Sequence, residues 1–115
     1  MELLDRDAAL EQVQGDEDFL DELYQIFYNE IPERKNSFSS AFGEGDAKRI
    51  ASLAHSLKGV SLTIGAFGCK HIAEEVEHAA KGGDLETARE KYSRLEEVLD
   101  ELEKIIGNMD LGDSA

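Results

Sequence analysis

Apolar residues recur at intervals of three and four along most of the chain, the spacing that lines one face of an α-helix. Phe19, Leu20, Leu23, Tyr24, Phe27 and Ile31 form one such stripe, and Ile50, Leu53, Leu57, Val60 and Ile64 form another. Ile72, Ala73, Val76, Ala79 and Ala80 make a third. Leu85, Ala88, Tyr92, Leu95, Leu99, Leu102 and Ile106 make the longest. Between the stripes lie the residues that end and start helices. A short first helix is predicted from about Asp5 to Gln14, with Gly15 as its stop and Asp16 as the N-cap of the next. That next helix is predicted to end near Pro32, whose ring suits the first turn of a following helix holding Phe38, Ala41 and Phe42. Gly43-Glu44-Gly45-Asp46 reads as a turn with Asp46 as cap, and Gly65-Ala66-Phe67-Gly68 as a second break. Gly82-Gly83-Asp84 is a third break, and Gly107 is placed to stop the last helix.

Four substantial helices joined by short turns imply an all-α fold, an antiparallel up-down-up-down four-helix bundle. One or two short additional N-terminal helices would cover an end or side of it. With 115 residues, 41% of them hydrophobic, the chain has room for one domain around one core. That domain is assigned to residues 1–107, leaving 108–115 as a flexible C-terminal tail.

Charge narrows the partners. Acidic residues number 26 against 12 basic ones, a net −14, so nucleic acid and anionic membrane surfaces would be repelled over most of the molecule. No apolar run reaches the length of a bilayer span, and the N-terminus lacks a basic stretch followed by an apolar one. A single cysteine, Cys69, allows no internal disulfide and no zinc motif. The expected location is cytoplasmic.

Candidate chemistry sits on the helix around His55. Two residues from both Leu53 and Leu57, His55 lies about 160° around the axis from each, so its ring faces solvent. Its neighbours one turn away are Ala51, Ser52, Lys58 and Gly59. A neutral imidazole carries a lone pair that can attack phosphorus in line, and phosphoryl transfer otherwise needs positioning and charge neutralisation. Lys58 is placed to supply the charge. A glycine inside a helix costs about 1 kcal/mol against alanine, so Gly59 needs a reason, and clearance for an approaching group supplies one. If the turn after this helix centres on Ala66, antiparallel pairing sets His55 opposite Glu77, with Glu74 and Glu75 as rivals. A carboxylate there accepts the Nδ1 proton and leaves Nε2 unprotonated and outward.

The run Ala54-His55-Ser56-Leu57-Lys58-Gly59, followed by Ile64-Gly65-Ala66, resembles the His-x-x-Lys-Gly signature and later glycine of the histidine-containing phosphotransfer family. Val76-Glu77 and Gly82-Gly83-Asp84 extend the resemblance downstream, and Gly15-Asp16, Phe19-Leu20 and Phe27 extend it upstream. The resemblance implies His55 as phosphoryl acceptor through Nε2, Lys58 as charge partner, Gly59 as clearance residue and Glu77 as orienter of the imidazole. Gly65 takes a structural role at the family's spacing. Val60 departs from the smaller residue many members carry after the Lys-Gly pair, which bears on packing more than on the acceptor. The partners implied are a sensor histidine kinase or hybrid-kinase receiver and the receiver domain of a response regulator, docking beside Ser52 and Leu62. No cofactor is implied on this chain, and Mg²⁺ is expected only on the partner receiver.

Other readings stand beside this one. His71 and His78, with Glu74 and Glu75 between them, invite a metal site, but a di-metal bundle centre needs two Glu-x-x-His motifs and only Glu75 with His78 supplies one. Surface placement is expected for both. The chain has no glycine-rich phosphate loop or Walker-type lysine, so it would carry phosphate without making it. A helical adaptor that binds protein without chemistry is the rival from another class.

Overall fold

The computed structural model describes residues 3–111. It holds five helices: α1 (Arg6–Gln12), α2 (Glu17–Gly43), α3 (Ala47–Thr63), α4 (Phe67–Lys81) and α5 (Leu85–Gly107). No strand occurs among the described residues. Helices α2 to α5 form the antiparallel bundle, and α1 covers the end where α3 turns into α4. At 1.5 Å per residue α2 is about 40 Å long, which matches the longest dimension of the molecule, 42 Å.

Aspartates set the starts of four helices. Asp5, Asp16, Asp46 and Asp84 accept hydrogen bonds from the amides of Ala8, Phe19, Arg49 and Thr87, each three residues on. The start of α4 is different, because its N-cap Ala66 has no side chain to offer. Here the turn is fixed by α1: the Asp5 amide donates to the Gly65 carbonyl at 2.9 Å. Gly65 has φ +77°, and a Cβ there would lie 2.2 Å from the Asp5 carbonyl oxygen. Only glycine allows both the left-handed turn and this close approach.

Pro32 does not divide the second helix. It lies inside α2, which continues to Gly43. The buried stripe explains this, since Leu20, Tyr24, Phe27, Ile31 and Phe38 are all buried on one side, and Ile31 and Phe38 are seven residues apart, in phase. Burying each large apolar side chain contributes roughly 1.5–3 kcal/mol, so a handful together outweigh the ~3 kcal/mol cost of an interior proline. Pro32 itself is exposed, where water can bond the carbonyl that its ring leaves without an amide. There is accordingly one short N-terminal helix.

The core is filled by Tyr24, Phe27 and Phe38 of α2, Ile50 and Leu57 of α3, Val76 of α4, and Leu95, Leu99 and Leu102 of α5. The buried Tyr24 hydroxyl donates to the Ile64 carbonyl at 3.3 Å, tying α2 to the end of α3. Packing is most extensive between α3 and α4, where Ala51, Ala54, Ala73 and Ala80 are buried. Small side chains let two helix backbones approach closely, and that closeness brings a side chain of α4 within reach of His55. Beyond Gly107, Met109 and Leu111 pack partly buried against the core, so the packed unit extends into the expected tail. The rest of that tail, 112–115, lies outside the described residues.

Candidate functional site

Ser52 and Gly59 flank His55 on the outer face of α3. The His55 side chain is 69% exposed. Ser52, one turn before it, is exposed, whereas Ala51 is buried against α4. Gly59, one turn after it, is open: a Cβ built there would meet nothing within 4 Å. No neighbouring helix therefore demands a glycine at this position.

The ring is held from α4. His55 Nδ1 lies 2.9 Å from Glu77 Oε2, and the carboxylate is an acceptor, so Nδ1 carries the proton in this pair and the Nε2 lone pair points to solvent. Glu77 is 4% exposed. Glu74 and Glu75 are exposed and pair instead with Lys70 at 3.6 Å and Lys91 at 3.0 Å. The carboxylate that meets the ring is thus the one placed opposite His55 by hairpin pairing.

A buried carboxylate needs compensation, and two lysines provide it. Lys58 Nζ lies 2.8 Å from Glu77 Oε1, and Lys81 Nζ lies 3.1 Å from Oε2. Burial pushes the Glu77 carboxyl upward, but hydrogen bonds from Lys58, Lys81 and His55 outweigh it and hold the group at about 2. The same bond to Glu77 raises Lys58 above its ordinary value. Both groups are charged at neutral pH. Lys58 is therefore engaged with Glu77, on the oxygen that does not hold the ring.

Lys81 had not been singled out by sequence reasoning. It lies four residues after Glu77, the helical spacing of an ion pair, and that is the signal that identifies it once Glu77 is known. Lys48, Ser52, His55, Glu77, Lys81 and Gly83 line one open depression of about 650 Å³ between the start of α3 and the end of α4. In a chain of net charge −14 this local excess of lysine makes the depression suited to an anion.

The remaining candidates fall elsewhere. Leu62 is exposed two turns beyond His55, and Phe19 and Ile26 of α2 are exposed large apolar residues, Phe19 lying within the apolar stripe of the sequence and Ile26 outside it. His71 and His78 are exposed, and no group of three or more His, Cys, Asp or Glu side chains gathers to hold a metal among the described residues. Cys69 is buried and accepts a hydrogen bond from Ser61 Oγ at 3.2 Å; burial raises its thiol to about 11, which leaves it protonated and unreactive at neutral pH. None of the described helices is long and apolar enough to cross a membrane.

Comparison with known proteins agrees with this geometry. The family model of the Hpt domain matches residues 22–105. Among solved structures, the chain is similar to the histidine-containing phosphotransfer protein B of Pseudomonas aeruginosa, with 27% identity, 91% of each chain covered and a TM-score of 0.83. The Hpt domain of a sensor hybrid histidine kinase from Shewanella shares the fold, with a TM-score of 0.87 at 23% identity over 98% of this chain and 97% of that one. No curated protein sequence matches. A bundle that exposes one carboxylate-held histidine, matched over most of its length by a single family, belongs to that family: the chain is an Hpt domain, and its function is histidine phosphotransfer in a two-component phosphorelay.

Proposed function

We propose that His55 is the phosphoryl acceptor and that the chain is a carrier with no nucleotide site or kinase activity of its own. One observation supports this above the others: the His55 side chain is two-thirds exposed while its Nδ1 is bound by a buried carboxylate. In that arrangement the Nε2 lone pair attacks the donor phosphorus. The N–P bond forms as the bond from phosphorus to the donor's oxygen or nitrogen breaks, and its electron pair leaves with the donor. The ring, now substituted at both nitrogens, carries positive charge, and Glu77 stays beside Nδ1–H to balance it. No proton needs to move on this chain. The reverse sequence delivers the group to an aspartate of a receiver domain.

The donor in this reading is a sensor histidine kinase or the receiver of a hybrid kinase, and the acceptor is the receiver of a response regulator, all in the cytoplasm. Mg²⁺ belongs to the receiver. Docking uses the open face around His55, with Ser52 one turn before it, Gly59 one turn after it and Leu62 two turns after it.

The test is incubation with an autophosphorylated histidine kinase or a phosphorylated receiver, followed by detection of acid-labile, base-stable phosphate on this chain. Labelling that vanishes in His55→Gln supports the reading. Absence of labelling across a panel of kinases and receivers, with stable partner binding, would favour the helical adaptor.

A further inference from the structure

Glu77 has two oxygens and three cationic or proton-donating partners, and the way they divide is informative. Lys58 alone binds Oε1, whereas His55 Nδ1 and Lys81 share Oε2. The two lysines also differ in freedom. The Lys58 side chain is 25% exposed, but that of Lys81 is 66% exposed, at the last residue of α4, on the rim of the depression that also holds His55. The carboxylate end of the pair is buried but the ammonium end is in water, and Lys58 and His55 stay on Glu77 when Lys81 moves, so the carboxylate is not left unpaired.

Resting on the assignment of His55 as acceptor, we propose that Lys81 is a mobile counter-ion of the phosphorylated state. It lies on Glu77 Oε2 while His55 is bare and moves to the phosphoryl oxygens when the group is attached to Nε2. The charge balance fits. Lys48 and Lys81 line the depression with Glu77 as the one carboxylate in its lining, and Lys58 binds the other oxygen of Glu77, so the lining carries more cationic than anionic side chains to meet a phosphoryl dianion. The move has a second effect. Once Lys81 has left, Oε2 is given wholly to Nδ1–H, where it supports the positive charge of the phosphorylated ring. Both effects favour the attached state, so Lys81 sets how tightly the carrier keeps its phosphoryl group. Lys58, bound to the other oxygen, cannot make the same exchange without letting the carboxylate rotate.

Phosphoramidate tests this on the full chain without a partner protein. Nε2 displaces ammonia from it, forming N–P as the donor N–P bond breaks, and added ammonium drives the reaction backward. The partition between phosphoramidate and His55 can thus be approached from both directions by ³¹P NMR. In wild type, the Lys81 side-chain resonances should shift on phosphorylation. Lys81→Ala and Lys81→Gln should lower the partition toward His55 by roughly three- to tenfold at low salt, with a smaller effect at high salt. Lys81→Arg should restore most of it. Lys70→Ala, which removes the lysine paired with Glu74 on the same helix, should change nothing. The His55 ring tautomer in the bare protein should stay as in wild type in every variant, since Glu77 remains. A partition unaltered in Lys81→Gln, or Lys81 resonances that do not move, overturns the proposal. If neither phosphoramidate nor an autophosphorylated kinase labels wild-type His55, the acceptor assignment itself falls, and the role of Lys81 falls with it.

Discussion

Helix α4 presents two faces built from the same residue types, and they behave differently. Toward α3 it offers Glu77 and Lys81 beside a depression of about 650 Å³; on its other side Glu74, Glu75 and His78 line one of about 730 Å³ with Asp84 and Lys91. Size does not separate them. Glu77 is buried with three partners, whereas Glu74 and Glu75 are exposed with one lysine each. His78 has no carboxylate bound to its ring among the described contacts, while His55 has one at 2.9 Å. A histidine on a helix becomes a defined nucleophile when a neighbouring helix packs closely enough to hold one ring nitrogen and leave the other free.

The largest effect should follow from exchanging the two histidines' side chains for glutamine. His55→Gln should remove phosphate labelling altogether, and His78→Gln or His71→Gln should leave it at the wild-type level, as read by base-stable label from a phosphorylated donor. Labelling that survives in His55→Gln and disappears in His78→Gln would place the acceptor on the other face of α4.

Next comes clearance. Because a side chain at Gly59 meets nothing of this protein, whatever it obstructs must belong to the partner. Gly59→Ala should raise stability by up to ~1 kcal/mol through helix propensity. Gly59→Gln should slow transfer by roughly a hundredfold, a loss of about 2.7 kcal/mol in transition-state binding, while its melting temperature stays near that of Gly59→Ala. Thermal melts and transfer rates measured on both variants separate the two roles, and normal transfer in Gly59→Gln removes clearance as the reason for the glycine.

The two glutamates give a third contrast. Glu77 titrates at about 2 in the folded chain against 4.5 as its ordinary value. Its lowered folded value means that its contribution to stability is complete above about pH 4.5 and is lost as pH falls through about 2. That contribution is on the order of 3 kcal/mol at neutral pH. Glu77→Gln should cost about that much and flatten the acid limb of the stability profile, whereas Glu75→Gln, on the exposed pair with Lys91, should cost under ~0.5 kcal/mol. Glu77→Ala should also free the His55 ring to populate both neutral tautomers, which ¹⁵N shifts of Nδ1 and Nε2 report. Transfer should slow by roughly tenfold from that loss of positioning. An unchanged tautomer in Glu77→Ala would assign the orienting role to another group.

Much of this was legible before any coordinates. Asp16, Asp46 and Asp84 are readable as caps because an aspartate just ahead of an apolar stripe has one local use. The pairing of His55 with Glu77 is readable because a short hairpin fixes which residues oppose each other. Pro32 suggests a helix start by a local rule about proline, but Ile31 and Phe38 are in phase on one stripe, and their burial carries the helix through it. The burial of Glu77 was not legible, since it depends on Lys58 and Lys81 converging from two helices. Gly65 is readable as a structural glycine, but its reason is not, because it arises from the carbonyl of Asp5, sixty residues away in sequence.

Lys58 gives the smallest and most diagnostic effect. It is the largest of the hydrogen-bonding influences that hold Glu77 down, and Lys81 and His55 remain when it is removed. Lys58→Ala should therefore leave Glu77 ionised at neutral pH and the His55 tautomer intact, while moving the acid loss of stability upward from about pH 2 toward the ordinary carboxyl range. Phosphoryl transfer should slow by about fivefold in both directions, corresponding to about 1 kcal/mol, because a cation near the group favours the transition state whichever way it moves. Parallel measurement of forward and reverse transfer, with urea melts between pH 2 and 7, checks both statements. A Lys58→Ala variant slowed in one direction only would show that Lys58 acts on the phosphorylated ground state, the role assigned above to Lys81, and the division of labour between the two oxygens of Glu77 would have to be reversed.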